Sequence, residues 1–157
     1  MTAVKVRDGS AADRDFVIAT AQRFAEFGPP PWRSADEVVA GEVRYLQDFF
    51  DGPLKGPLLL VATSEDGRRP LGFALLEPAV DYFSGESHAH LGMLAVVEAA
   101  QGHGVSAALM SAVETRARAQ GFTKITLNVF EANARARRLY ERLGFNVEIV
   151  RYTKSLS

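Results

Sequence analysis

Between Leu94 and Leu109 the chain reads Leu-Ala-Val-Val-Glu-Ala-Ala-Gln-Gly-His-Gly-Val-Ser-Ala-Ala-Leu. An apolar run ends, Gly102 and Gly104 follow, and a helical spacing of apolar residues starts at once. A strand must therefore feed a helix through a turn whose backbone can approach another molecule closely. The first amides of a helix have no intrahelical partner, and its aligned peptide dipoles place about half a positive charge there. Such a turn can hold an anion. The turn alone does not choose the anion, since glycines before helices also serve purely steric ends. One phosphate binder, the P-loop, is nevertheless excluded, and a dinucleotide fingerprint fits badly. No Lys-Ser or Lys-Thr follows Gly104, as a P-loop requires. Ala107 stands where the third glycine of a dinucleotide-binding turn belongs, and these glycines do not follow the first strand of a β-α-β unit.

The remaining chain bounds what could surround that turn. Its 157 residues suit a single domain over 1–157. Net charge is −1 with both signs interspersed, so no basic stripe calls for nucleic acid or an anionic membrane. There is no long uncharged apolar run. The start, Met-Thr-Ala-Val-Lys-Val-Arg-Asp, lacks an apolar signal core, and the expectation is a cytoplasmic protein. The absence of cysteine removes disulfides, thiolate metal sites and a cysteine nucleophile together.

Taken in order, Val4 to Val6 reads as a short strand. Ser10 and Asp13 form a cap pair before a first helix reaching about Phe27. Gly28-Pro29-Pro30-Pro31 ends it, because proline lacks the N–H and clashes with the preceding turn. Ser34 and Glu37 make a capping box for a second helix with Val39, Val43, Leu46 and Phe50 inward. Leu58–Thr63 and Leu71–Leu76 read as strands joined by the Glu65-Asp66-Gly67 turn. Asp81–Ser87 is a polar loop, and His88–Val97 is a strand entering the glycine turn. A third helix carries Val105, Leu109, Ala112 and Val113, with Gly121 as its cap. Lys124–Phe130 is a strand, Asn133 caps a fourth helix, and Phe145–Thr153 is a last strand. The order is β-α-α-β-β-β-α-β-α-β, an α/β (α+β) fold with a mixed sheet and helices on its faces.

Two further groups could carry chemistry. Asn133 to Phe145 contains Leu139 and Tyr140 on an apolar helix face, beside a row of arginines able to reach a phosphate. A core tyrosine bonded to a carbonyl is the simpler account of Tyr140 at this point. His88 and His90 alternate on one strand, which period two places on one face with Gly92, Leu94 and Val96. No third ligand has recognisable spacing, so no metal is expected. An imidazole facing a cleft suits proton transfer near neutrality.

The glycine turn and the Asn133–Phe145 segment together resemble the GCN5-related N-acetyltransferase (GNAT) superfamily. Its coenzyme A signature, Gln/Arg-x-x-Gly-x-Gly/Ala after a Leu-x-Val strand end, matches Leu94-Ala95-Val96 and Gln101-Gly102-His103-Gly104-Val105-Ser106. Ser106 departs from the usual glycine or alanine. The second signature matches at Asn133, Ala136, Leu139-Tyr140-Glu141 and Gly144-Phe145. The resemblance implies the GNAT fold, with a mixed, mostly antiparallel sheet. It also implies an acetyl-CoA-dependent N-acetyltransferase. Leu94, Ala95, Val96, residues Gln101, Gly102, His103, Gly104, Val105 and Ser106, and Asn133 would then hold coenzyme A. Tyr140 would protonate the departing thiolate. His90 falls where some members carry a basic glutamate, with Asp81, Glu86 or a water chain as alternatives. Without cysteine, direct transfer in a ternary complex is the simpler scheme. Phe27, Trp32, Asp81, Tyr82 and Glu86 would meet a small primary amine. A peptide N-terminus or lysine as acceptor, and a non-catalytic acyl-CoA sensor, remain alternatives. The resemblance also allows a homodimer.

Overall fold

Apolar continuity over Leu58–Val61 and Leu71–Leu76 buries both faces of two neighbouring strands, and the rest of the sheet assembles around them. The computed structural model describes residues 3–156. Its strands are β1 (Val4–Asp8), β2 (Leu58–Ser64), β3 (Pro70–Val80), β4 (Ser87–Val96) and β5 (Ile125–Leu127). Its helices are α1 (Arg14–Ala21), α2 (Ala35–Phe50), α3 (Val105–Ala119) and α4 (Ala134–Arg142). The sheet order is β1-β2-β3-β4-β5. All pairs are antiparallel except β4 with β5, which run parallel.

Each face of the sheet has its own core. Leu60, Ala62, Ala74 and Leu76 pack against Val105, Leu109, Met110 and Val113 of α3. Leu59, Val61, Phe73 and Leu75 pack against Val17 and Ala21 of α1 and Leu46 of α2. Phe73 is fully buried, and truncating such a ring to alanine costs about 3–5 kcal/mol. Both expected capping boxes form. Ser10 and Asp13 start a 3-10 turn, Ala11–Asp13, ahead of α1, and Ser34 and Glu37 start α2. Arg7 grips both oxygens of Asp13, at 2.8 and 2.9 Å, so the first cap is also tied to β1.

Four expectations are corrected. The first helix stops at Ala21 and continues only as a 3-10 turn, Gln22–Ala25. β5 covers Ile125–Leu127 and not Lys124–Phe130, because its pairing with β4 ends at Leu91↔Leu127. Phe145–Thr153 is not a strand: a strand needs a ladder partner, and this segment joins none of the sheet's pairs. It leaves Val147, Ile149, Val150 and Tyr152 exposed.

The fourth correction concerns β4. Leu75 pairs with Met93 and Leu76 with Leu91, which leaves Gly92 as an extra residue, a β-bulge. Before it, Ala89 and Leu91 face the α3 core; after it, Met93 and Ala95 face the α1/α2 core. Alternation therefore inverts at Gly92. His88 and His90 lie on the α1/α2 side, whereas Leu94 and Val96 pack on the α3 side. No helix among the described residues is long and apolar enough to cross a membrane.

Candidate active site

The early end of β5 pairs with β4 from Ala89 to Leu91, and there the pairing ends. From Gly92 to Val96, β4 has a partner only on its β3 side among the described residues. This open edge spans roughly 13 Å at about 3.3 Å per residue. At its far end the chain makes a 3-10 turn, Glu98–Ala100, and then the glycine turn into α3.

The glycine turn fits an anion on its own geometry. Gly102 and Gly104 have φ of 77° and 81°, the left-handed region that favours glycine. A Cβ at either would meet nothing within 4 Å, so the backbone faces open space. Gly104 is the N-cap of α3 and offers no side chain to its first amides. The amides of Val105 and Ser106 are therefore left for a ligand. Nearby, Arg135 of α4 donates to Gln101 Oε1 at 3.0 Å, which brings one guanidinium of the arginine row to the turn. Arg23 reaches this same end of the open edge, donating to the carbonyl of Val96 while also holding Glu26 at 2.9 Å. A pantetheine-like arm pairing with Val96 would have to share or displace that bond.

On the α3 side, Asn133 caps α4 by accepting from the Ala136 amide at 3.2 Å. Its side-chain oxygen is thus a structural cap in this structure. Tyr140 packs against the same core as Leu94, Val96, Ile125 and Leu127, with its ring edge-on to Phe145 at 5.8 Å. Burial pushes its phenol up to about 12, so the hydroxyl keeps its hydrogen at neutral pH.

On the α1/α2 side a polar group has formed from four separate elements. His88 Nε2 and His90 Nδ1 lie 3.0 and 2.8 Å from one oxygen, Thr126 Oγ1 of β5. His90 is held below the usual imidazole value, mainly by burial, while Glu77 opposes the shift and His88 adds to it. Glu77 of β3 sits directly across from His90 in the ladder. Its Oε2 accepts from the Tyr45 hydroxyl of α2. Its Oε1 would lie 3.1 Å from a Cβ placed on Gly92, so the carboxylate hangs over the bulge. Glu42, one turn before Tyr45, is pushed up by burial and then by the Glu77 charge.

Of the residues expected to meet an acceptor, few are brought together. Asp81 accepts from Lys124 and from the amides of Phe83 and Ser84, and these bonds hold its carboxyl well below the ordinary range. It fastens the β3–β4 hairpin to the start of β5. Tyr82 is 92% exposed at the hairpin tip, where Glu86 is exposed as well. Phe27 stacks on Phe130 at 5.0 Å, and Trp32 is exposed on its loop. Glu42, Glu77 and Thr126 escaped sequence reasoning. For Glu77 a signal existed: a hairpin centred on Asp81–Glu86 pairs position 77 with position 90. No group of three or more metal-ligating side chains occurs among the described residues.

The chain resembles known proteins throughout its length. Residues 20–145 match the model of the acetyltransferase (GNAT) family. No curated protein sequence matches. A Pyrococcus furiosus protein assigned as an acetyl transferase superposes with a TM-score of 0.79 at 21% identity, covering 98% of this chain and 100% of that one. The ribosomal-protein-alanine N-acetyltransferase of Brucella melitensis gives 0.70 at 20% identity, covering 98% and 100%. The aminoglycoside N-acetyltransferase AAC(6')-Iy, in complex with CoA, gives 0.69 at 17%, covering 100% and 97%. At these identities the structures speak for the fold alone. With the family match over most of the sequence, the chain belongs to the acetyltransferase (GNAT) family and is an N-acyltransferase.

Proposed function

We propose that this enzyme moves an acetyl group from acetyl-CoA to the primary amine of a small molecule, directly, within a ternary complex. One arrangement carries the reading. Tyr140 packs into the α3-side core that also takes Leu94 and Val96 of the open edge, His90 and Glu77 lie on the α1/α2 side, and the anion turn lies at the end of that edge. The Val105 and Ser106 amides would hold the pyrophosphate, with Arg135 beside them. The acyl end then falls near Gly92, between the two groups.

The chemistry follows from that separation. An alkylamine has a pKa near ~10.4 and reaches the site as an ammonium. It must lose a proton before its nitrogen can attack. His90 and Glu77 are the titratable groups facing its side, His90 being the residue that the strand preceding the glycine turn delivers. As the carbon–sulfur bond breaks on the other side, Tyr140 donates its phenolic hydrogen to sulfur. The bulge at Gly92 leaves a backbone group outside the β3 ladder, where an N–H can stabilise the oxyanion. With Tyr45 and two carboxylates around the acceptor, a compact cation with an apolar part suits the site. The exposed side chains of Val147, Ile149 and Tyr152 suit association with a second copy.

Thiol release from acetyl-CoA, measured against a panel of alkylamines and peptides, tests the proposal. Turnover with alkylamines is expected. Turnover confined to peptides would replace the acceptor, and none with either would remove the transferase reading. Light scattering of the purified protein checks the second copy.

A further inference from the structure

We propose that Glu77, and not His90, receives the acceptor's ammonium and takes its proton, while His88 and Thr126 lock His90 as a hydrogen-bond donor. The proposal rests on the acetyl-transfer reading, but its first half-step is a matter of counting hydrogens.

Thr126 Oγ1 carries one hydrogen and faces two imidazole nitrogens, His88 Nε2 at 3.0 Å and His90 Nδ1 at 2.8 Å. His88 is only 7% exposed, and its other nitrogen, Nδ1, is buried with no hydrogen-bond partner among the described residues. The neutral arrangements fall into three groups. In any with the His88 hydrogen on Nδ1, whichever imidazole the hydroxyl serves, that hydrogen meets no acceptor among the described residues. If both imidazoles donate to the oxygen, the hydroxyl hydrogen needs a third acceptor, and Thr126 Oγ1 has no other bond among the described residues. In the remaining arrangement His88 Nε2–H donates to Thr126, and Thr126 donates to His90 Nδ1. Both hydrogens lying between the three side chains are then matched, and within the buried part of the group only a lone pair on His88 Nδ1 goes unused. Buried unpaired N–H groups are the rarer and costlier defect. This arrangement places the remaining hydrogen of His90 on Nε2. The outward nitrogen of His90 therefore donates and cannot accept.

Protonating His90 would also need a hydrogen on Nδ1, which forces the hydroxyl back toward His88 and leaves a hydrogen unmatched. The groups facing His90 are Glu77 on β3, His88 on its own strand and Thr126 on β5; Tyr45 and Glu42 of α2 act on Glu77. Burial and His88 together outweigh Glu77, so His90 stays neutral.

Glu77 has the complementary properties. Tyr45 occupies Oε2, which fixes the carboxylate, and Oε1 is directed over Gly92, where no side chain intervenes. Gly92 is also the point at which the open edge begins. In the step proposed, Glu77 takes one ammonium proton and later passes it to solvent. The freed nitrogen bonds to the acyl carbon and the carbon–sulfur bond breaks. Tyr140 protonates sulfur and regains its hydrogen from the nascent amide nitrogen.

Two measurements test this. Nitrogen-15 NMR of the imidazoles in the free enzyme at neutral pH should show His90 as the Nε2–H tautomer, with Thr126→Val releasing it to a mixture and Thr126→Ser restoring it. A dominant Nδ1–H tautomer in the wild type overturns the lock, whether or not any acceptor is found. Then kcat is compared for butylamine, which must shed a proton, and hydroxylamine, which is already unprotonated at neutral pH. Glu77→Gln should lower kcat for butylamine by about 10²-fold, as loss of a general base does, with little change for hydroxylamine. His90→Gln, whose amide still donates, should lower both by less than about fivefold. Calorimetric acetyl-CoA affinity should be unchanged in both variants. Should Glu77→Gln fail to bind acetyl-CoA, Glu77→Asp takes its place and should keep the wild-type ratio between the amines at a lower rate. A selective butylamine defect in His90→Gln, or equal loss for both amines in Glu77→Gln, overturns the assignment. Wild-type inactivity toward both amines would overturn the small-amine reading and the Glu77 role with it, leaving the tautomer result to stand separately.

Discussion

The two faces of β4 hold the two halves of the proposed site, and they are encoded differently. The α3 side comes from contiguous chain: Leu94 to Ser106 supplies edge, turn and helix start, and Asn133 to Phe145 supplies the tyrosine. The α1/α2 side is assembled from Glu42 and Tyr45 on α2, Glu77 on β3, His88 and His90 on β4 and Thr126 on β5. Local spacing specifies the first, because a helix start after glycines has its properties whatever packs around it. Only strand pairing and a bulge create the second. An enzyme built this way can retain its donor machinery while its acceptor face changes residue by residue.

If the division is real, the largest effect belongs to the α3 side. Tyr140→Phe should lower kcat by about 10²–10⁴-fold, the ordinary range for a general acid, with acetyl-CoA affinity nearly unchanged. Steady-state rates at saturating acetyl-CoA, with calorimetry alongside, check this. Equal kcat in mutant and wild type would remove Tyr140 from the chemistry and leave it as a buried ring against Phe145.

Gly104→Ala should act on the same side, but on binding alone. At φ 81° an L-residue costs roughly 1–2 kcal/mol, and about 1.4 kcal/mol is tenfold in affinity. The acetyl-CoA Kd should rise about tenfold while kcat at saturation holds. An unchanged Kd would mean that the donor does not sit on this turn.

The opposite face should reveal itself through pH. His90 is depressed in the folded protein, so between its folded value and the unfolded ~6.5 the unfolded chain binds more protons. Its contribution to stability is complete above ~6.5 and is lost as pH falls through that window. Urea midpoints measured across the window should therefore fall with acidification, and His90→Gln should flatten the fall. An identical slope in the variant would show that the imidazole is not held neutral by its surroundings.

Much of the fold was legible because its determinants are short-range. The capping pairs Ser10–Asp13 and Ser34–Glu37, the Gly28–Pro31 break and the apolar runs of β2 and β3 act within a few residues, and all appear in the structure. The inversion at Gly92 was not legible, since strict alternation gives no sign of an extra residue. It moved His90 away from Leu94 and Val96. Phe145–Thr153 has a strand-like sequence, but strand propensity does not provide a neighbour to pair with. Glu77 lies just past Leu71–Leu76, the span whose apolar run reads as a strand, while the ladder continues to Val80.

The smallest expected effect lies where aromatic composition pointed most strongly to an acceptor. Tyr82 touches Phe83 edge-on at 5.3 Å, and both rings are largely exposed at the hairpin tip. Along an extended strand, five residues from Glu77 place Tyr82 as much as about 17 Å away. Asp81, bound to Lys124 and two loop amides, keeps the tip fastened to the start of β5. Tyr82→Ser should therefore change kcat/KM for any accepted amine by less than about twofold, within the range usual for a surface substitution. A tenfold rise in KM at constant kcat would instead place the acceptor against the hairpin tip, and the pocket over Gly92 would lose its claim to the amine.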